Sequence, residues 1–337
     1  MKRLAASAAA LAFAAAVSFP SVGATDEALA LVPADATSVG VIHVADLRTS
    51  PLAARVFSDT DKLTVDGDAA HFLAEARLNP KEDVDTVVAA GSPKGAGGSA
   101  GWGLVLFEGR FDAGALGAAI ASRGAERKST PAGDYFLLPD KGQHAARHEQ
   151  GAIAFASNHL VIAGNEASVV AALAQRSVGG TAFRSGAGLG RHLGRIDFSA
   201  SAWALVDVTR LPAKDAAVRH AHAQAEGNGM DAAATLVSSM KNVSLLALQA
   251  TAKGDALKLS ATGLASDEET AGLMEDALRG VLAAWRLAAQ QKSPDTVAVL
   301  RKFTVSRDRA TVSIGGTLPG ATVRALAEKK HAHAQVD

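Results

Sequence analysis

The sequence predicts an α+β fold of two similar halves, each an antiparallel sheet with helices packed on one face. Three observations lead there. Short apolar, β-branched segments alternate with amphipathic helical ones along the chain. Lys253-Gly254-Asp255 lies between two apolar runs and marks an antiparallel hairpin. A pattern of strand, polar turn, strand, glycine and helix occurs twice.

The elements follow in order. Ser38 to Ala45 (SVGVIHVA) is apolar and β-branched and reads as a buried strand closed by Asp46-Leu47, with a helix starting over Leu52 to Phe57. Asn79-Pro80 signals a turn before a strand at Val84 to Ala90. Gly91 to Gly101 is loop-like, and Trp102 to Phe107 is the next strand. A helix over Phe111 to Arg123 has Asp112 near its start. Strands are expected at Tyr135 to Leu138, Ala152 to Ala156 and Leu160 to Ala163, then a helix at Ala167 to Gln175.

In the second half, Ala202 to Val208 and Val243 to Ala252 are strands around a helical region at about 212 to 240. Ala256 to Leu264 pairs back through the hairpin. Ser266 and Glu269 have the spacing of a capping box for a helix over Asp267 to Ala289. Met274, Ala277, Leu278, Val281, Leu282, Trp285 and Ala288 form its apolar stripe, with Asp276, Arg279, Arg286 and Gln290 off it. Val297 to Val305 and Ala310 to Ile314 read as a strand pair, and Ala321 to Glu328 as a last helix.

Two features suggest duplication. The segment Ala152 to Gly164 followed by Val170-Ala171-Ala172-Leu173-Ala174 resembles Phe303 to Gly315 followed by Val323-Arg324-Ala325-Leu326-Ala327. The strand ending at Asp46-Leu47 matches the one ending at Asp207-Val208. The organisation expected is a signal peptide over 1–24, a first half over 25–178, a glycine-rich linker over 179–194, a second half over 195–330 and a disordered tail over 331–337.

Residues 1–24 carry the export signal: Lys2 and Arg3, then an uncharged run from Leu4 to Val17, then Val22-Gly23-Ala24 before the expected cut. The apolar run is shorter than the roughly 20 residues that span a bilayer and ends near Pro20. No later stretch reaches that length, so no integral segment is expected after cleavage, and the protein is expected in the periplasm or secreted. The chain has no cysteine, hence no disulfide, thiolate metal site or acylated anchor. Removing Lys2 and Arg3 from 34 basic residues leaves 32 against 34 acidic ones, a balance that does not suit nucleic acid. Few aromatics and many alanines point to a core of Ala, Val and Leu.

Leu31-Val-Pro-Ala-Asp-Ala36, Asp46-Leu47-Arg48, Gly109-Arg110-Phe111-Asp112 and Leu160-Val-Ile-Ala-Gly164 each punctuate a strand or helix boundary. In these motifs the chain resembles a group of exported bacterial proteins of unknown function whose mature chains begin with a similar VPAD segment. The resemblance implies an α+β repeat fold and no activity.

Motifs for chemistry are sparse. Gly186-Ala-Gly188-Leu-Gly190 lacks the preceding strand and the spacing of a dinucleotide loop. His144 and His148, with Glu149 adjacent, stand at i, i+4, and His220 and His222 at i, i+2; neither pair has a third metal ligand specified by the sequence. No nucleophile elbow or S-x-x-K set occurs. Asp46 and Asp207 occupy equivalent places and read as turn-bonding carboxylates. No catalytic, cofactor or metal residue is assigned, and no cofactor is expected. The leading expectation is a non-catalytic envelope protein that binds a hydrophobic ligand or a protein partner. A metal-assisted hydrolase using the histidines and a structural module of an envelope assembly are the alternatives.

Overall fold

A computed structural model describes residues 26–53, 67–93, 101–139, 150–179, 182–185, 188–211, 243–290 and 294–325. Among these residues twelve strands form one continuous antiparallel sheet. They are β1 (Ser38–His43), β2 (Val84–Ser92), β3 (Trp102–Gly109), β4 (Glu126–Thr130), β5 (Gly133–Leu137), β6 (Gly151–Phe155), β7 (Leu160–Asn165), β8 (Ala202–Asp207), β9 (Val243–Ala252), β10 (Ala256–Ala265), β11 (Thr304–Asp308) and β12 (Thr311–Pro319). Their order across the sheet is β11-β12-β10-β9-β8-β1-β2-β3-β7-β6-β5-β4. The fold is therefore α+β, with one sheet where two were expected. The two parts of the chain meet where β1 pairs with β8, Val41 opposite Trp203.

Side chains alternate between the faces of a strand, and this alternation decides which face needs cover. On the first face, Val39, Val41, Val88, Leu104, Leu106 and Ile162 join Leu205 and Ala247 in the main core. It is covered by the helices Asp26–Ala30 and Glu166–Ser177 and by the short turns around Phe183, Leu189 and Leu193. On the second face, Val87, Phe107, Phe136, Ile153, Phe155 and Val161 pack against Leu116, Ala119 and Ile120 of the helix Ala113–Ala121. Helices thus cover both faces in the first half, not one as expected. The reason lies in β2, β6 and β7, where adjacent residues such as Val87-Val88 and Val161-Ile162 are both apolar and leave neither face suited to water.

The outer strands of the second half differ. Lys258, Ser260 and Thr262 of β10 and Ser313 and Thr317 of β12 stand on the first face, where Thr262 and Ser313 hydroxyls meet at 3.0 Å. Apolar residues there go to the second face: Val206, Leu246, Val305 and Val312 pack with Ala271, Met274 and Leu278 of the helix Glu268–Gln290.

The segment 179–194, expected as a linker, is in its described part folded into the core, with Phe183 and Leu189 buried. Its glycines serve close packing. A Cβ on Gly190 would fall 1.5 Å from the Phe183 carbonyl oxygen, and one on Gly188 would fall 2.5 Å from that of Ala34. The hairpin between β9 and β10 turns at Gly254, φ +59°, a conformation that favours glycine.

Several elements differ from the sequence reading. β4 was not expected, because its Glu-Arg-Lys-Ser-Thr sequence has no apolar face; it is an edge strand. The sequence predicts strand from Val297 onward, but Val297 to Leu300 belong to the helix Pro294–Leu300, begun by a proline at the position where a helix tolerates one. The long helix is capped by Asp267, whose Oδ1 accepts from the Thr270 N–H at 2.7 Å, in place of the Ser266–Glu269 box. Its stripe also turns near the C-terminus: Trp285 and Ala288 are exposed, while Arg286 points inward and donates to the Leu300 and Phe303 carbonyls at 3.1 and 2.9 Å. The neighbouring helix, not the sheet, is what that end packs against. The predicted signal peptide, the helical region at 212–240 and the tail lie outside the described residues.

Candidate functional site

The centre of the second face lies between the two helical covers. Towards the first half it meets the cluster around the helix Ala113–Ala121, and towards the second the one under the helix Glu268–Gln290. At a third side Leu52 and Val323 pack with Ala252, Leu257 and Leu318. Between them lies an apolar trough of about 380 Å³, within the roughly 300–1,000 Å³ of small-molecule sites.

The register of the sheet builds this trough. Gly40 and Ile42 of β1 lie beside Ala204 and Ala202 of β8, and these beside Leu248 and Ala250 of β9. Ala261 and Leu259 of β10 continue the same rows. Small residues (Gly40, Ala89, Ala202, Ala204, Ala250 and Ala261) make a low floor, and Ile42, Val87, Leu248, Leu259, Phe303 and Ile314 rise around it. The Phe303 ring lies over Gly316: a Cβ there would stand 2.5 Å from the ring, so the glycine sets the position of that wall. The trough crosses six neighbouring strands, which at a spacing of about 4.8 Å span roughly 24 Å. No charged side chain stands among the described lining residues. Such a surface offers dispersion and the release of water and almost no hydrogen bonding, which suits an elongated aliphatic molecule.

None of these residues was singled out in the sequence. Each was legible as core-forming, but an alanine on a strand shows no sign of whether it will floor a trough or sit beneath a helix. Of the sequence candidates, His144 and His148, with Glu149, and His220 and His222 lie outside the described residues. Among the described residues no group of three His, Asp or Glu is spaced to hold a metal ion. Asp207 does make the expected turn bonds: its Oδ1 accepts from the Thr209 N–H at 3.0 Å and from the Thr209 hydroxyl at 2.5 Å. Asp46 does not follow it. Its Oδ2 is buried without a hydrogen-bond partner, and the residue lines a second, polar cavity on the opposite face.

Fold and site together define an α+β protein with an apolar trough on a twelve-stranded sheet. No family model and no curated protein matches the chain. Among solved structures it is similar to TP0453 in three crystal forms. Form III gives a TM-score of 0.49 at 8% identity, covering 89% of this chain and 97% of that one. Form IV gives 0.47 at 10%, covering 88% and 95%. Form I gives 0.44 at 9%, covering 89% and 96%. The likeness is one of chain path, at a level that carries nothing about function. No helix among the described residues is long and apolar enough to cross a membrane.

Proposed function

We propose that this chain is an exported, non-catalytic binding protein of the bacterial envelope that holds an elongated apolar molecule, of the class of a fatty acyl chain, in the trough. The trough carries the reading: six strands line one groove without a charged side chain among its described residues, five of them contributing small apolar ones. Export is supported by the order of Lys2-Arg3, the apolar run and Val22-Gly23-Ala24 at the start of the chain. The resemblance to exported proteins with a VPAD segment agrees with it.

The two halves, in this reading, are copies of one unit. Support comes from the strand order, which runs β1-β2-β3-β7-β6 outward in one direction and β8-β9-β10-β12-β11 in the other. The first copy carries the additional hairpin β4–β5. The trough then lies where the copies join, with Gly40 and Ala204 side by side.

A second reading, docking of a protein partner, has an observation of its own: Leu273 and Leu287 of the helix Glu268–Gln290 are 67% and 64% exposed. Titration of a fluorescent fatty acid into the purified protein separates the two. Saturable binding that Ala204→Trp weakens by at least about tenfold is expected, because the indole fills the floor. No saturable binding, or binding that Ala204→Trp leaves unchanged, would refute the trough as the site.

A further inference from the structure

The first face, where β8 stops and β9 begins, holds a cavity of about 410 Å³ that is separate from the trough. The register floors it: Asp207 of β8 lies beside Leu245 of β9, and Leu245 beside Leu264 of β10. Two turns wall it. The short helix Leu189–Arg195 contributes Arg191 and His192, and the turn Val208–Arg210 contributes Arg210. One bond holds each guanidinium in place. Arg191 Nε donates to His192 Nε2 at 3.0 Å, and Arg210 Nη1 donates to the Asp35 carbonyl at 3.0 Å. Among the described residues the remaining N–H groups of both arginines have no hydrogen-bond partner, and neither arginine is in ion-pair contact with a carboxylate.

The wall sets the ligand's charge and shape. A guanidinium does not lose its proton, so both arginines are cations. His192 is neutral: an arginine Nε can only donate, so the ring nitrogen that meets it is an acceptor, and Nδ1 carries the proton. Burial first, then Arg191 and Arg195, hold this imidazole below its ordinary range, and the opposing pull of Asp207 is the smallest of the four influences. Asp207 is the one carboxylate among the described lining residues, and its Oδ1 is taken up by the Thr209 N–H and hydroxyl. The wall therefore keeps an excess of positive charge and two separate donor forks. A carboxylate has two oxygens, which a single guanidinium fork fills. A phosphate monoester has three terminal oxygens and close to two negative charges, which two forks match. The volume is that of a small-molecule site, and Leu189, Leu245 and Leu264 offer apolar contact to an organic body beside the anion.

We propose that this cavity binds a small organic phosphate monoester, its terminal oxygens accepting from the Arg191 and Arg210 guanidiniums and its organic part resting on Leu245 and Leu264. This site stands apart from the trough and does not depend on it.

Phenyl phosphate tests the proposal, with inorganic phosphate, which lacks the organic part, and benzoate, which carries a carboxylate on the same ring. Calorimetry on the purified chain is expected to show saturable binding of phenyl phosphate, with each of the other two at least about tenfold weaker. Arg191→Gln, at an exposed position outside the core, is expected to weaken phenyl phosphate binding by about tenfold or more. Arg176→Gln, at an exposed position of the helix Glu166–Ser177, leaves it unchanged, which excludes a general effect of surface charge. Ala204→Trp also leaves it unchanged, which separates this site from the trough. Co-sedimentation with vesicles of phosphatidylcholine and phosphatidic acid, lost in Arg191→Gln, would support the site and assign its monoester to a lipid headgroup. Phenyl phosphate binding without co-sedimentation would support it and assign the monoester to a soluble molecule. The proposal is overturned if phenyl phosphate gives no saturable heat up to about 10 mM, if benzoate or inorganic phosphate binds equally well, or if Arg191→Gln, confirmed folded by circular dichroism, binds like the parent.

Discussion

One six-residue strand presents two kinds of chemistry. On one side of β1, Gly40 and Ile42 help to form an uncharged trough; on the other, Val39 and Val41 enter the core and His43 ends the row inside a polar cavity. The difference comes from alternation combined with what covers each face. From β9 to β7 the first face is closed by helices and turns, so an apolar residue there is core, whereas on β10 and β12 the same face carries the polar Lys258, Ser260 and Thr317. Among the described residues the second face is covered by helices at its flanks, and between them its small apolar residues line the trough, with Ala202 and Ala250 partly closed by Leu52.

Substitutions on neighbouring strands break this comparison most sharply. Leu205 of β8 is fully buried on the closed face, and Leu205→Ala should destabilise by about 2–5 kcal/mol in chemical denaturation. Leu248 of β9 stands at the trough wall and is only half-buried. Leu248→Ala should cost about 1 kcal/mol of stability and weaken fatty-acid binding by roughly tenfold. If Leu248→Ala destabilises as much as Leu205→Ala, the trough is core and not a site.

Asp46 and Asp207 sharpen the same contrast, with opposite signs. The Asp46 carboxyl is raised by burial to about 6. A folded-state value above the unfolded one means that the ionised form penalises the fold. The penalty is present above pH 6 and is relieved as pH falls towards the unfolded value near 4. Asp46→Asn should therefore stabilise the protein at pH 7 by about 1 kcal/mol, allowing for solvent screening, and the gain should vanish near pH 4. Thermal melts of both proteins across that range check it; a loss of stability at pH 7 would show that Asp46 has a structural partner. Asp207→Ala, by contrast, removes a cap from the short turn at Val208–Arg210 and should destabilise by about 0.5–1 kcal/mol.

The pair also shows how far the sequence reached. Both aspartates follow an apolar strand and precede a hydrophobic residue, and that local pattern is all that one chain displays. Whether the carboxylate turns back to its own backbone depends on what lies beyond. Asp207 has Thr209 two residues on, with a hydroxyl and an N–H to offer. Asp46 has Arg48 in that place, and Arg48 is committed to Asp85 and to the Lys81 and Val84 carbonyls. Where the signal was local, it sufficed: β9, β10 and their glycine turn were readable residue by residue, as was the Asp112 cap, whose carboxylate accepts from the Ala115 N–H at 2.9 Å. Where the decision was long-range, it did not. The trough needs β1 beside β8, a pairing between the two parts of the chain that no spacing announces. The direction of Arg286 depends on the helix Pro294–Leu300, whose apolar residues favour strand by local pattern. His43 looked like one more residue in an apolar strand, and only the register with Thr86 and Glu108 shows it to be part of a polar row.

The central claim is that the trough is occupied by an apolar molecule in the cell. Native mass spectrometry of the protein released gently from the envelope tests it most directly. A discrete adduct, extractable into organic solvent and missing from Ala204→Trp prepared in the same way, is the result expected. A protein that is consistently empty, or an adduct retained at equal occupancy by Ala204→Trp, would contradict it.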